Sequence, residues 1–417
     1  MAPVAHKALA CRSCHQPLRT LFADLGMSPF SNAFRSAEEL LEPETFYPLR
    51  AFVCDQCKLV QVQDFAAPEQ HFHEQYAYLS SFTPSWVAHA RQFVEMATQR
   101  FALGATSFVV EVASNDGYLL QFVKAKGIPC LGIEPAANCA AAAREKFGIE
   151  SLVDFFNPNT AKQMLETHGQ ADLIVADNVM AHVPRLNDFL SAFALALKPD
   201  GVASFEFPHL LELMRHNQFD TIYHEHYSYL SYHAIAPLLD RHCLYAFDVE
   251  RLTTHGGSLR LFVARKRARW PISDTIQALE AEEKHAGLHI LDPYLAFAGQ
   301  VAATKRKLQS LLNSLKERGA TIAGYGAPAK GNTLLNYCGL GTDIIDFTVD
   351  RSPVKQGRYL PGSLIPILPV AAVRERRPDY LLILPWNLKS EIVEQMHFIA
   401  DWGGKFIVPI PEPAILD

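Results

Sequence analysis

Two matched cysteine pairs, Cys11-Arg12-Ser13-Cys14 and Cys54-Asp55-Gln56-Cys57, constrain this chain more than any other feature. Each C-x-x-C spacing turns two sulfurs toward one point, and two such pairs complete a tetrahedral shell that suits Zn2+. A closed shell of four thiolates leaves no position for a reactive water. The metal expected at Cys11, Cys14, Cys54 and Cys57 is therefore structural. Residues 1–72, turn-rich and punctuated by Pro17, Pro29, Pro43 and Pro48, are expected to form a small independent fold around it. A redox C-x-x-C is the rival, but it usually opens a helix after a strand and does not come as a matched pair. Cys130, Cys139, Cys243 and Cys338 are scattered, which suits a chain kept in a reducing compartment.

At 417 residues the chain has room for two or three cores. Its 38 basic and 44 acidic residues, net −6, exclude a generally basic nucleic-acid binder. The N-terminus has no apolar leader, and no run of about eighteen apolar residues occurs. These features predict a cytoplasmic enzyme with no nucleic-acid or membrane partner and no obligate protein partner.

From residue 107 strands and helices alternate, which predicts an α/β class with a doubly wound sheet. The apolar strand Phe108-Val-Val110 runs into Glu111-Val-Ala-Ser114-Asn115-Asp116-Gly117 and then a helix. Small residues there let a ligand approach the backbone, and the helix offers its N-terminus. Two glycines of a dinucleotide fingerprint are missing, so no pyrophosphate cradle is expected. Instead Glu111 and Asp116 sit where a cationic or hydroxylated ligand would want them. Glu134, ending the next strand, is placed to accept from both ribose hydroxyls. Asp154 would hold an adenine amino group between Phe155 and Phe156, the plainer alternative being that the aromatics are core and Asp154 a helix cap. Asp177 and Asn178 follow the fourth strand. This order of motifs favours S-adenosylmethionine over NAD.

Further on come Tyr223-His224-Glu225-His226-Tyr227, Thr254-His255-Gly256-Gly257-Ser258-Leu-Arg260 and Gly324-Tyr-Gly-Ala-Pro-Ala-Lys330-Gly-Asn332. With the cysteine pairs and E-x-x-S-N-D-G they occur in one order along nearly the whole chain. That order resembles the three-domain S-adenosylmethionine-dependent C-methyltransferases acting on nucleotide-linked 4-keto-deoxysugars. One departure is Ala113, where the family often has glycine. The resemblance implies a zinc-binding domain at 1–72, a Rossmann-like methyltransferase domain at 73–300 and a second Rossmann-like, substrate-binding domain at 301–417.

It also implies a reaction, methyl transfer to carbon 3 of a sugar with a ketone at carbon 4, the sugar carried on thymidine diphosphate. That chemistry needs a base for the C3 proton and a donor for the enolate oxygen. By resemblance His226 is the base, and Glu225 and Tyr223 position the sugar or polarise the enolate. His182 is expected on the methyl-donor side. Tyr76 or Tyr78 is expected to bring a hydroxyl into the site, with Tyr78 favoured. In an extended chain His224 and His226 would share a face, which leaves open a metal site there.

The third motif places backbone amides and Lys330 at a helix N-terminus, which suits phosphate. Asp350 closes the following strand. NAD is the first guess for such a turn; the resemblance points instead to a nucleotide-sugar diphosphate touched by Lys330, Asn332 and Asp350. Two alternatives stand beside this reading: a methyltransferase of the same build acting on another carbon acid or a hydroxyl, and a zinc- and nucleotide-binding protein without catalysis.

Overall fold

The computed structural model describes residues 9–65 and 79–416. Tyr76 and Tyr78 lie outside the described residues. The N-terminal part is an antiparallel sheet of β1 (Thr20–Ser28), β2 (Tyr47–Val53) and β3 (Val60–Val62), closed by a fourth strand from far along the chain, β9 (Ser228–Tyr229). Among the described residues, no helix is long and apolar enough to cross a membrane.

Helix α1 (Pro84–Arg100), begun by a proline whose missing N–H costs nothing at a first turn, leads into the central sheet. Its strands are β4 (Val109–Val112), β5 (Cys130–Ile133), β6 (Ser151–Leu152), β7 (Ala171–Asp177), β8 (Leu197–Pro208), β10 (Leu244–Leu252) and β11 (Ser258–Arg265). Their order is β10-β11-β8-β7-β4-β5-β6, parallel from β6 to β8, with β11 and β10 added antiparallel. The chain winds outward from β4 in one direction to β6, then returns to the other side of β4 with β7. The carboxyl ends of β4 and β7 therefore flank the switch point, where ligands of such sheets bind.

A helix of 26 residues, Asp292–Glu317, follows. Its buried residues Tyr294, Phe297, Val301, Thr304, Leu308, Leu312 and Leu315 recur at three- and four-residue spacing, the stripe a helix buries along one face. It leads to a six-stranded sheet containing β12 (Ile322–Tyr325), β13 (Phe347–Val349), β14 (Ile367–Leu368), β15 (Tyr380–Ile383), β16 (Lys405–Val408) and β17 (Ala414–Leu416). All neighbours are parallel except β16 and β17.

The expectation of an independent metal module needs correction. Phe22 of β1 stacks on Phe297 at 4.6 Å and meets Tyr294 edge-on at 6.1 Å. Phe22, Leu25 and Leu49 share one core with Leu308, Ile322 and Leu334. Cys11, Cys54 and Leu59 share another with Phe189, Leu230 and Leu238 of the central region. A few dozen residues cannot bury enough apolar surface alone, and here the neighbouring domains cover it.

A candidate active-site cleft

The two cysteine loops are near copies. In each, the residue after the second cysteine is left-handed (His15 φ 62°, Lys58 φ 59°). In each, its amide donates to the first cysteine's carbonyl, His15 to Cys11 and Lys58 to Cys54, both at 2.9 Å. This brings Cys11 Sγ to 3.5 Å from Cys57 Sγ and Cys14 Sγ to 3.5 Å from Cys54 Sγ, with all four sulfurs within 4.8 Å of one another. Four Zn–S bonds of about 2.3 Å require sulfur separations of roughly 3.8 Å, so the set fits zinc. The Gln61 side chain supports it by donating to Cys11 Sγ at 3.3 Å.

That loop is joined to the Tyr223–Tyr227 segment. Arg12 lies over the Tyr227 ring at 5.2 Å, and the Val62 amide donates to the Tyr227 carbonyl at 3.1 Å. The segment is a tight turn, with the His226 amide donating to the Tyr223 carbonyl at 3.0 Å. It therefore lacks the strand parity that would put both histidines on one face. His224 turns into the N-terminal sheet among Phe30, Tyr47 and Phe65, with Nε2 3.2 Å from the Pro48 carbonyl. His226 faces the other way, its ring 4.6 Å from that of His182.

Around His226 the hydrogen bonds determine the tautomer. Nδ1–H donates to the Thr221 carbonyl at 2.9 Å, because a carbonyl only accepts. Burial, then the neighbouring His182, holds the imidazole well below its ordinary pKa, so it is neutral. Nε2 is therefore a bare acceptor, 2.6 Å from the Tyr223 hydroxyl. His182 Nδ1–H donates to the Glu225 carbonyl at 2.8 Å. The Glu225 side chain, 6% exposed, accepts from Asn32 of the N-terminal module, and burial pushes its carboxyl up to about 7.

At the switch point the loop after β4 bends through left-handed residues at Ala113 (φ 55°), Asn115 (φ 48°) and Gly117 (φ 80°). Alanine at 113 carries a steric cost of about 1 kcal/mol that glycine would not. A Cβ at Gly132 would overlap the hydroxyls of Ser114 and Ser151, which explains a glycine in that strand. Glu134 accepts from the amides of Asn115 and Ala136, both at 2.8 Å, and burial raises it to about 7. Burial also raises Glu111, and Asp177 adds to it. Asp177 itself is pushed up to about 7 by burial and by Glu206. Neither Asp177 oxygen has a hydrogen-bond partner among the described residues. An orphaned buried carboxylate beside a second one is a place for a cation, and the ammonium and sulfonium of S-adenosylmethionine supply that charge.

Other expected contacts sit elsewhere. Asn115 Oδ1 accepts from the Ser80 amide, and Asp116 is occupied by Ser81 and Lys146 at the edge of the loop. Phe156 packs edge-on against Phe189 and Phe193 in the core and cannot clamp an adenine. Asp154 is exposed and accepts from the Phe155 amide and the Thr160 hydroxyl, a local cap. Phe155 is half-buried. Asn178, left-handed at φ 57°, donates through Nδ2 to His255 Nε2 at 3.1 Å.

From the C-terminal domain, the helix Ala329–Cys338 delivers Lys330 to this cleft. Its Nζ donates to Asn387 at 2.8 Å and lies 4.5 Å over Trp386, whose Nε1–H donates to the buried Asp220 at 2.6 Å. Burial lowers the Lys330 pKa, against the attraction of Asp220, and its charge reaches His226 and His255. The other two expected substrate contacts already have partners within the protein. Asn332 is 1% exposed and donates to the Ser31 carbonyl at 2.6 Å, a bolt between domains. Asp350 accepts from the Ala327 and Ser352 amides, both at 2.8 Å, so its carboxylate closes the glycine turn.

Sequence reasoning missed Asn32, Asp220 and the pairing of buried Glu206 with His89 (2.8 Å) and Arg260 (2.6 Å) behind the switch point. Arg260 stood in a quoted motif; the others carry no local signature.

Family models match the chain in three stretches: a zinc binding domain at 11–72, a methyltransferase domain at 86–242 and a C-methyltransferase C-terminal domain at 253–411. C-methyltransferase NovU of Streptomyces niveus is 34% identical over 406 residues, 97% of this chain and 96% of that protein. Magnesium protoporphyrin IX methyltransferase from Synechocystis PCC 6803 with bound S-adenosylhomocysteine is 12% identical, over 43% of this chain and 83% of its own, at a TM-score of 0.35. An S-adenosylmethionine-dependent methyltransferase from Anabaena variabilis is likewise 12% identical, over 43% of this chain and 85% of its own, also at 0.35.

Proposed function

The chain belongs to the S-adenosylmethionine-dependent C-methyltransferases with a zinc-binding N-terminal domain, and from that premise we propose that it methylates carbon 3 of a nucleotide-linked 4-keto-deoxysugar. The observation that carries this reading is the Tyr223–His226 pair, a hydroxyl held 2.6 Å from a bare imidazole nitrogen inside the cleft. When bound, S-adenosylmethionine supplies an electrophilic methyl group. The acceptor carbon must then be made nucleophilic, which means removing its proton.

A ketone oxygen entering the cleft competes with Nε2 for the Tyr223 hydroxyl. Once Tyr223 donates to that oxygen, Nε2 is released to take the C3 proton, and charge gathers on an oxygen that already has its donor. The Nδ1–H bond to Thr221 holds the ring in the required tautomer throughout. Glu225 and His182 bracket the sugar, Lys330 meets its diphosphate, and Asp177 with Glu111 faces the methyl donor. The four-cysteine set holds zinc, which keeps β3, the strand that follows the second cysteine loop, in register with β9. Thiolates that must stay reduced suit an enzyme of the cytoplasm.

Exchange in D2O separates the proton step from methyl transfer. With S-adenosylhomocysteine and a thymidine diphosphate-linked 4-keto-deoxysugar, the enzyme should exchange deuterium into C3, read by proton NMR. Tight binding of both ligands with no exchange at C3 would overturn the enolate reading and point to a different acceptor atom.

A further inference from the structure

We infer that Asn32 is a positioning residue for this reaction: it reaches from the N-terminal module into the cleft and holds the Glu225 carboxylate in place as the anion. The inference rests on the reading of Glu225 given above. Asn32 Nδ2 lies 2.8 Å from Oε2 and 3.0 Å from Oε1 of Glu225. Among the described residues no other hydrogen bond reaches those two oxygens. Both oxygens accept from one amide nitrogen, an arrangement that suits the ionised carboxylate, which only accepts, better than the acid, which must also donate.

The placement is supported from two sides. The turn that carries Asn32 is fastened to the C-terminal domain on both flanks. Asn332 donates to the Ser31 carbonyl, and Arg35 and Tyr359 exchange backbone hydrogen bonds at 2.8 and 3.0 Å. The loop that carries Glu225 is fastened to the same helix, because the Thr333 hydroxyl donates to the Ile222 carbonyl at 3.1 Å. Asn32 itself is exposed, while the carboxylate it holds is buried. An exposed amide contributes little to a core; directed at a buried carboxylate in a reaction cleft, it stabilises one charge state.

The ionisable groups around Glu225 are Tyr223, His224 and His226 on its own loop and His182 from the segment after β7, while the charge of Lys330 from the C-terminal domain acts on His226. None of these donates to the carboxylate among the described residues. Two N–H···O contacts on the anion oppose the burial that favours the acid. Without them the carboxyl titrates higher, and the acid form dominates at neutral pH.

The test is the pH profile of kcat/KM for the full chain and for Asn32→Ala, Asn32→Asp and Glu225→Gln, with S-adenosylhomocysteine affinity as the check on folding. In Asn32→Ala the acid limb should move up by about one pH unit, costing roughly fivefold at pH 7 and recovering near pH 9. Asn32→Asp, a second carboxylate in place of the donor, should move it further. A profile for Asn32→Ala that superimposes on the parent, or a loss that is the same at every pH, would overturn the inference while Glu225→Gln is impaired. Wild-type turnover in Glu225→Gln would instead overturn the reading of Glu225 itself.

Discussion

Tyr223 and His226 stand at opposite ends of one tight turn, joined twice: backbone to backbone at 3.0 Å, and hydroxyl to Nε2 at 2.6 Å. The turn makes the second contact possible, since residues three apart in it face each other. A strand would put them on opposite faces.

Removing either partner should separate binding from chemistry. His226→Ala is expected to keep S-adenosylhomocysteine affinity and lose turnover by roughly 10²–10⁴-fold. Tyr223→Phe should lose less and should still exchange C3 with deuterium, slowly. Because burial and His182 keep His226 neutral well below its ordinary range, its own titration should not limit kcat/KM at neutral pH. With the methyl donor saturating, so that the titration of Asp177 does not enter, an acid limb near neutrality that survives in Glu225→Gln would reassign that limb to His226 and refute its depressed pKa.

Zinc should matter for turnover beyond holding its own loop together. The Val62 amide of β3 holds the Tyr227 carbonyl, and Arg12 between Cys11 and Cys14 covers the Tyr227 ring. Serine at both Cys11 and Cys54 should release about one zinc per chain. Turnover should fall further than S-adenosylhomocysteine affinity does. A zinc-free variant with parental kcat would show that the metal loop and the catalytic turn are uncoupled.

Asp177 is expected to link methyl-donor binding to pH. Its folded pKa of about 7 lies above the ordinary 3.8, so it is largely protonated below neutrality and ionises when a cation binds. Donor affinity should rise as pH climbs through 7, and binding near pH 7 should release protons, read by calorimetry in buffers of different ionisation enthalpy. The raised pKa also means that the free protein loses stability as pH rises from about 4 to 7, because the unfolded carboxyl ionises first. Asp177→Asn should therefore raise Tm at pH 8 in the absence of ligand, weaken donor binding about tenfold and abolish the proton release. Unchanged proton release would move that role to Glu111 or Glu134.

Lys330 should act on the acceptor alone. Lys330→Ala is expected to raise KM for the nucleotide-linked sugar by roughly 10–100-fold, the worth of a charge-assisted contact, without changing S-adenosylhomocysteine affinity. An equal KM with a lowered kcat would place Lys330 with Asp220 and Trp386 as part of the cleft wall.

The parts legible in the sequence are those whose chemistry is local. C-x-x-C fixes the position of two sulfurs within one loop, and a strand running into Ser114-Asn-Asp-Gly117 announces a ligand turn wherever it sits in the fold. The central and C-terminal α/β units, the cysteine set and the His226 loop could therefore be read from short windows. Tertiary structure decided what those windows face. Asn32 and Glu225 are 193 residues apart, Ser31 and Asn332 are 301, and Ile222 and Thr333 are 111. No periodicity or spacing connects such pairs. Phe156 in the core, Asn332 between domains and Asp350 in its own turn look, residue by residue, as polar or aromatic as any ligand contact. Hydrogen-bond and packing demands of neighbouring domains claimed them first. The sequence determined which chemical groups the protein possesses, and only the packing of its domains against one another determined which of them are left facing the cleft.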